Sequence, residues 1–316
     1  MRSSTRNKAT EIPTRALIPF TAITFGLTWG LGMLMVTVPQ LEQIFGPMSY
    51  TNPIFILMVW APAIAGVGLV LRYHGVRGLG SFLSRLTLWK MPTAWWAFLI
   101  LGIPALFYAG AAIKGTFPAP FPFTPWYSVL PAIGMALVIG PVEEFGRRGV
   151  ALPLLQRIFS PFVSSLVLGT IWAVWHLPSF FMSGTPQSGW SFGAFFVGII
   201  AITLILTPMF NAARGSLLVA VLYHFMMNNP VWPDAQPWDS VLFALVAVVV
   251  VFLNRKTMFS RGAGVTEVLA PAAGVSARPA RPRRLERTPA AQVEPLAGST
   301  LYDERASLHN PAFFLR

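Results

Sequence analysis

Eight apolar runs, each of about 16–22 residues, fill most of the chain before position 255, and roughly 20 apolar residues are what one α-helix needs to cross the ~30 Å core of a bilayer. The runs fall near 16–37, 53–71, 94–113, 128–150, 162–182, 191–210, 215–231 and 239–254. A backbone in lipid must satisfy its own polar groups, which leaves helices or closed barrels, and runs this long without alternation are helical. The expected fold class is all-α: a polytopic membrane protein of about eight transmembrane helices forming one bundle with an internal cavity. Its parts are a basic N-terminal segment (1–15), a helical domain (16–254) and a Pro/Ala/Arg-rich tail (255–316), in which ARPARPRRLERTPAAQ lacks apolar periodicity and is expected to be disordered.

Composition agrees, because 54% of the residues are hydrophobic and 11% charged, against the ~45–50% and ~25% of a soluble domain. The basic N-terminus runs into an apolar stretch without a small-residue cleavage site, which reads as a first span rather than a removable signal. The net charge of +12 does not point to nucleic acid, since the basic residues lie in the tails and in alternate loops. Arg2, Arg6, Lys8 and Arg15 precede the first run, the first loop has no Lys or Arg, and the second carries Arg72, Arg77, Arg85 and Lys90. This alternation predicts an integral, multi-pass protein with both termini cytoplasmic. The second loop could also form a short interfacial helix, with Phe82, Leu83, Leu86 and Trp89 opposite Arg85 and Lys90. Cysteine is absent, which removes thiolate nucleophiles and ligands. No Walker, dinucleotide or GxSxG pattern is present, and no internal repeat.

Nine of the eleven acidic residues lie in loops or tails; Glu143 and Glu144, in GPVEEFGRRG, fall inside a span. His176 and His224 also lie in apolar runs, whereas His74 and His309 do not. Ionisable groups in a membrane are costly, so two carboxylates and two imidazoles on three helices point to a hydrated interior site. Helical spacing pairs Glu143 with Arg147 and Glu144 with Arg148, so one glutamate can be held by an ion pair while the other stays free for chemistry. The same spacing puts Trp172 and His176 on one face, and His224 and Asn228 on another. Gly140 and Pro141, just before the glutamates, favour a kink that would admit water. Each feature alone has a plainer use: a Glu–Arg clamp, a histidine bonding a neighbouring helix, Trp172, Trp175, Phe180 and Phe181 as packing, and Trp190 as an interfacial anchor. Together, a carboxylate, a histidine and a His/Asn pair can activate water and stabilise an oxyanion.

These residues carry a resemblance. Glu143-Glu144-Phe-Gly-Arg-Arg148-Gly149 resembles the EExxxRG motif of the CAAX-prenyl-protease and bacteriocin-processing (CPBP, or Abi) family of intramembrane endopeptidases. Trp172-Ala-Val-Trp-His176 resembles that family's second motif, with tryptophan where phenylalanine is more frequent, and His224-x-x-x-Asn228 its third. The similarity covers about residues 128–232, the expected catalytic core, and three motifs in order make it specific.

The resemblance implies peptide-bond hydrolysis in or near the bilayer, on a membrane-associated protein or peptide, CAAX-like or of bacteriocin type. It implies Glu143 as general base assisted by His176, Glu144 with Arg148 as supporting residues, and His224 and Asn228 at the oxyanion. The host membrane would be the cytoplasmic membrane of a prokaryote. No cofactor is committed; should zinc take part, its ligands would be Glu143, His176 and His224, although no HExxH is present. The competing readings are a non-catalytic immunity or scaffold protein of the same fold, and a proton-coupled transporter using the glutamate pair.

Overall fold

The structure, a computed structural model, describes residues 11–38, 40–117 and 120–270. Among them all regular structure is helical: α1 (Leu17–Thr37), α2 (Gln40–Phe45), α3 (Pro53–Leu83), α4 (Thr93–Ala97), α5 (Ile103–Lys114), α6 (Val129–Val138), α7 (Glu143–Gly146), α8 (Leu152–Ile158), α9 (Pro161–Trp175), α10 (Phe192–Ala212), α11 (Leu217–Met227), α12 (Trp238–Leu253) and α13 (Arg255–Met258). A π-helical turn, Phe98–Gly102, joins α4 to α5, and a second, Arg147–Ala151, joins α7 to α8. Five helical stretches are long and apolar enough to cross a membrane, and α9, α11 and α12 are shorter apolar helices. The protein is an all-α polytopic membrane bundle.

Helix starts follow from local chemistry. Asn52 accepts from the amides of Ile54 and Phe55 with Pro53 in the first turn, and Ser160 accepts from Val163 ahead of Pro161. Ser216 accepts from Val219 at the head of α11. In each case the cap satisfies amides that the first turn leaves without partners.

Several spans differ from expectation. The run 53–71 extends to Leu83, bent at Gly75, whose φ of 62° an L side chain rarely adopts. The run 128–150 is two helices, because the chain leaves helical geometry between Val138 and Glu143 at Gly140-Pro141; the expected kink is a full break. The run 162–182 stops at Trp175, so His176 caps its helix rather than sitting inside it. The second loop forms no separate amphipathic helix, and Arg85, placed on its polar side by spacing, is buried. Its Nε donates to the Gly215 carbonyl at 2.8 Å, and its Nη1 to Gly149 at 2.8 Å and Val268 at 2.7 Å.

The expected tail needs a correction near the bundle. Residues 271–316 lie outside the described residues, but 255–270 pack rather than hang free. Val268 is buried, Gln156 Nε2 donates to the Val265 carbonyl at 2.9 Å, and Arg157 Nε to that of Thr266 at 2.9 Å. The segment serves as a line of backbone acceptors for buried donors, a use that leaves no hydrophobic period to read.

The core has two large clusters and a small one of four methionines, Met35, Met48, Met58 and Met182. Of the large clusters, one surrounds α10, with Ile103, Trp172, Ile205, Tyr223 and Phe243; the other gathers Phe20, Val70, Phe82, Leu154 and Phe210 from α1, α3, α8 and α10. Lipid offers no hydrophobic gain for joining helices, so close packing through small residues has to do it. Where α3 crosses α7, a side chain built on Gly66 would come 2.7 Å from the Gly146 Cα, and one built on Gly146 would strike the Pro62 carbonyl. That contact fixes the glutamate helix against α3.

Candidate active site

The two glutamates begin α7, immediately after the break at Gly140-Pro141. Helical spacing turns them in different directions, and Arg147 and Arg148, which open the π-helical turn that follows, reach back to them at i,i+3 and i,i+4 spacing. Arg147 Nη2 lies 2.6 Å from Glu144 Oε1 and 3.0 Å from Glu143 Oε2, so one guanidinium bridges both carboxylates. Arg148 Nη1 lies 3.2 Å from Glu144 Oε2, and its Nη2 donates to Thr203 Oγ1 on α10 at 3.3 Å. Two acids and two guanidinium groups thus balance in the interior, where Glu143 is 3% exposed and Glu144 and Arg148 are fully buried.

Glu144 also receives α11: His224 Nδ1 lies 2.8 Å from its Oε1 and 2.9 Å from Arg147 Nη2. Nη2 donates to Glu144 Oε1 and also faces His224 Nδ1, so that ring nitrogen sits between a carboxylate it can donate to and a guanidinium it can accept from, according to its tautomer. His176 is set by its own turn, its Nδ1 2.9 Å from the Trp172 carbonyl. A carbonyl can only accept, so Nδ1 carries the proton and Nε2 keeps a free lone pair. Trp172 holds the centre: its Nε1 donates to Glu143 Oε2 at 3.2 Å, and the Arg147 guanidinium carbon lies 3.5 Å above its ring.

Gly140 accounts for the position of the third motif. A Cβ there would lie 2.5 Å from Asn228 Nδ2 and 3.1 Å from His224 Nε2, so both side chains of the expected His/Asn face rest on a backbone that has no room for a side chain. Glu143, His176, Asn228 and Gly140 line one cavity of about 90 Å³, together with Thr28, Tyr50 and Gln187. Glu143 Oε2 holds both of the residue's polar contacts, and Oε1 has none among the described residues.

Of the six site residues predicted from sequence, Glu143, His176 and Asn228 face this cavity. Glu144, Arg148 and His224 form the layer behind it, joined to Glu143 through Arg147. Sequence reasoning left Arg147 out of the site, although its i,i+4 spacing to Glu143 was visible, and it assigned Trp172 to packing. The indole N–H was the signal there, because a buried tryptophan requires an acceptor. Nothing in the sequence marked Tyr50 or Gln187. The possible zinc set does not gather: among the described residues no group of three His, Asp or Glu side chains could hold a metal ion. His224 Nδ1 faces Glu144, and its Nε2 side lies beside Asn228 at Gly140, where that amide competes for space.

Residues 125–229 match the family model described as type II CAAX prenyl endopeptidase Rce1-like. A protein named CAAX prenyl protease 2 from Methanococcus maripaludis is 27% identical over 182 residues, which span 54% of this chain and 65% of that relative. The alignment therefore takes in just under two thirds of the relative's length. Both comparisons show the resemblance to the CPBP family that the three motifs carry.

Proposed function

We propose that this membrane bundle, of the Rce1-like CAAX prenyl endopeptidase type over residues 125–229, hydrolyses a peptide bond after a prenylated cysteine, using water held between Glu143 and His176. The observation that carries the reading is the meeting of Glu143, at the start of α7, with His176 and Asn228, at the C-terminal ends of α9 and α11, on the wall of one cavity. Glu143 Oε1, the oxygen without a partner, takes a proton from water as the water oxygen attacks the carbonyl carbon, and His176 Nε2 is a second acceptor that orients the same water. The negative oxygen of the tetrahedral adduct receives the Asn228 amide hydrogen. The adduct collapses by breaking the C–N bond, and the proton held by Glu143 passes to the departing amine. Glu144, Arg148 and His224 hold this arrangement from behind, and Arg147 and Trp172 keep Glu143 Oε2 occupied. His224 Nε2, beside Asn228 at Gly140, is a second donor to the adduct's negative oxygen in the tautomer whose Nδ1 accepts from Arg147. No step passes through a metal. The alternation of basic loops supports both termini lying on the cytoplasmic side.

The test uses protein in lipid nanodiscs, a farnesylated peptide ending in a CAAX sequence, its unlipidated counterpart and a bacteriocin-type leader peptide, in water enriched in ¹⁸O. Cleavage after the farnesylated cysteine, with one ¹⁸O in the new carboxylate, is the expected result. An intact farnesylated peptide would refute the reading. Metal content of the active fraction, with activity before and after chelation, decides the zinc question separately.

Gly140 gives a sharper probe of the oxyanion assignment. Gly140→Ala should displace Asn228 and reduce kcat by about 10²-fold, the lower end of the loss seen when an oxyanion donor is removed. Adding Asn228→Ala should then cost little more, a non-additivity that a double-mutant cycle on kcat/KM would detect. Additive losses would place Asn228 outside the reaction.

A further inference from the structure

A second, larger cavity of about 660 Å³ opens beside the catalytic one. Tyr50, Phe55, Gln187 and Asn228 line both, which makes them the neck between the two spaces. The larger space has aromatic walls, among them Trp190, Phe195, Trp232 and Phe243, and at the head of α12 its wall is Asp239. Asp239 is 7% exposed. Its Oδ1 accepts from the Ser240 amide at 2.6 Å and its Oδ2 from Gln236 Nε2 at 3.2 Å, and among the described residues no Lys, Arg or His pairs with it. Asp234, which lines the same cavity, differs: it is largely exposed and already paired with Lys114 at 2.7 Å. Among the described residues no cationic side chain lines the cavity.

A carboxylate buried without a counter-ion is costly, and aromatic faces add attraction for a cation and none for an anion. We propose that this cavity receives a basic side chain of the peptide substrate, its ammonium or guanidinium group meeting Asp239 between the aromatic rings. The inference rests on the protease reading, which puts the cleaved bond at the neck beside Asn228. It also sets the direction of the bound peptide. The free C-terminal carboxylate of a CAAX peptide is repelled by Asp239, so the segment N-terminal to the cleaved bond enters the larger cavity and the leaving segment stays on the other side of the neck.

The test compares three farnesylated CAAX peptides in nanodiscs of uncharged lipid: Lys-rich upstream of the cysteine, Gln-rich upstream, and Gln-rich upstream with a lysine in the leaving segment. The Lys-rich peptide should be cleaved with a kcat/KM about tenfold higher than the Gln-rich one, chiefly through KM, and the third peptide should gain nothing. Asp239→Asn should bring the Lys-rich peptide down to the Gln-rich level and leave the Gln-rich rate unchanged, while Asp239→Glu should keep the preference. Equal cleavage of the first two peptides by the natural protein, or a preference that survives Asp239→Asn, would overturn the proposal. Binding of the same peptides to the Glu143→Ala protein separates the two ideas. Lys-selective binding without cleavage by the natural protein would sink the protease reading and keep the cation site, whereas no selectivity in binding or in cleavage would sink the site.

Discussion

Replacing Glu143 by glutamine should lower kcat by about 10²–10⁴, the range that a positioned general base supplies, while the protein still purifies folded and its melting temperature falls by less than that of the Glu144→Ala protein. The two effects separate because of how the carboxylate is held. Its Oε2 accepts from Trp172 Nε1 at 3.2 Å, and the glutamine oxygen can accept the same bond. Arg147, which loses one partner, keeps Glu144 at 2.6 Å and remains stacked on Trp172. What glutamine cannot do is take a proton from water, because its oxygen is a far weaker base and its nitrogen only donates. His176→Ala should cost less, since that ring orients water already activated by the glutamate. Rates for Glu143→Gln within a few-fold of the natural protein, on a peptide the natural protein cleaves, would remove Glu143 from the role of base and return the glutamate pair to a purely structural one.

Much of this arrangement could be read from the sequence, for identifiable reasons. The spans were legible because crossing lipid imposes length and apolarity on every helix, and all eight runs contain helices. The ionisable residues of the site were legible because such a group in an apolar run has few inexpensive uses, which singled out Glu143 and His176 on the cavity wall and Glu144 and His224 behind it. What could not be read depends on contacts between distant elements. Arg85 resembles a loop cation in sequence, yet three backbone carbonyls, from Gly149, Gly215 and Val268, bring it inside. Residues 259–270 resemble a tail for the converse reason, since their contribution is made by main-chain oxygens. Arg147 and Arg148 each looked like the i,i+4 partner of one acid, and only the folded geometry shows that a single guanidinium spans both, through the added i,i+3 contact to Glu144. Asp239 looked like a loop acid following the seventh run; folding turns it toward a cavity that its own sequence neighbourhood does not announce.

Replacing Glu144 by alanine should damage the fold before it damages the chemistry. This carboxylate is fully buried and has three partners from two directions: Arg147 at 2.6 Å, Arg148 at 3.2 Å and His224 at 2.8 Å. Removing it leaves two buried guanidinium groups facing the single charge of Glu143, and breaking one buried ion pair by deleting a partner costs about 3–5 kcal/mol. Against a total stability of about 5–15 kcal/mol, that loss should appear as a sharply lowered melting temperature and poor recovery of monodisperse protein from detergent. The cost is electrostatic, so it should be reversible by charge: Glu144→Gln combined with Arg148→Met restores the balance between one acid and one guanidinium, and should recover most of the stability. Activity should return only in part, because a neutral amide holds the His224 ring beside Gly140 and Asn228 more weakly than the carboxylate does. A single Glu144→Ala protein that melts normally would show that the second glutamate carries no structural charge. A double variant that regains its fold and its full rate together would show that the reaction does not need the charge of Glu144.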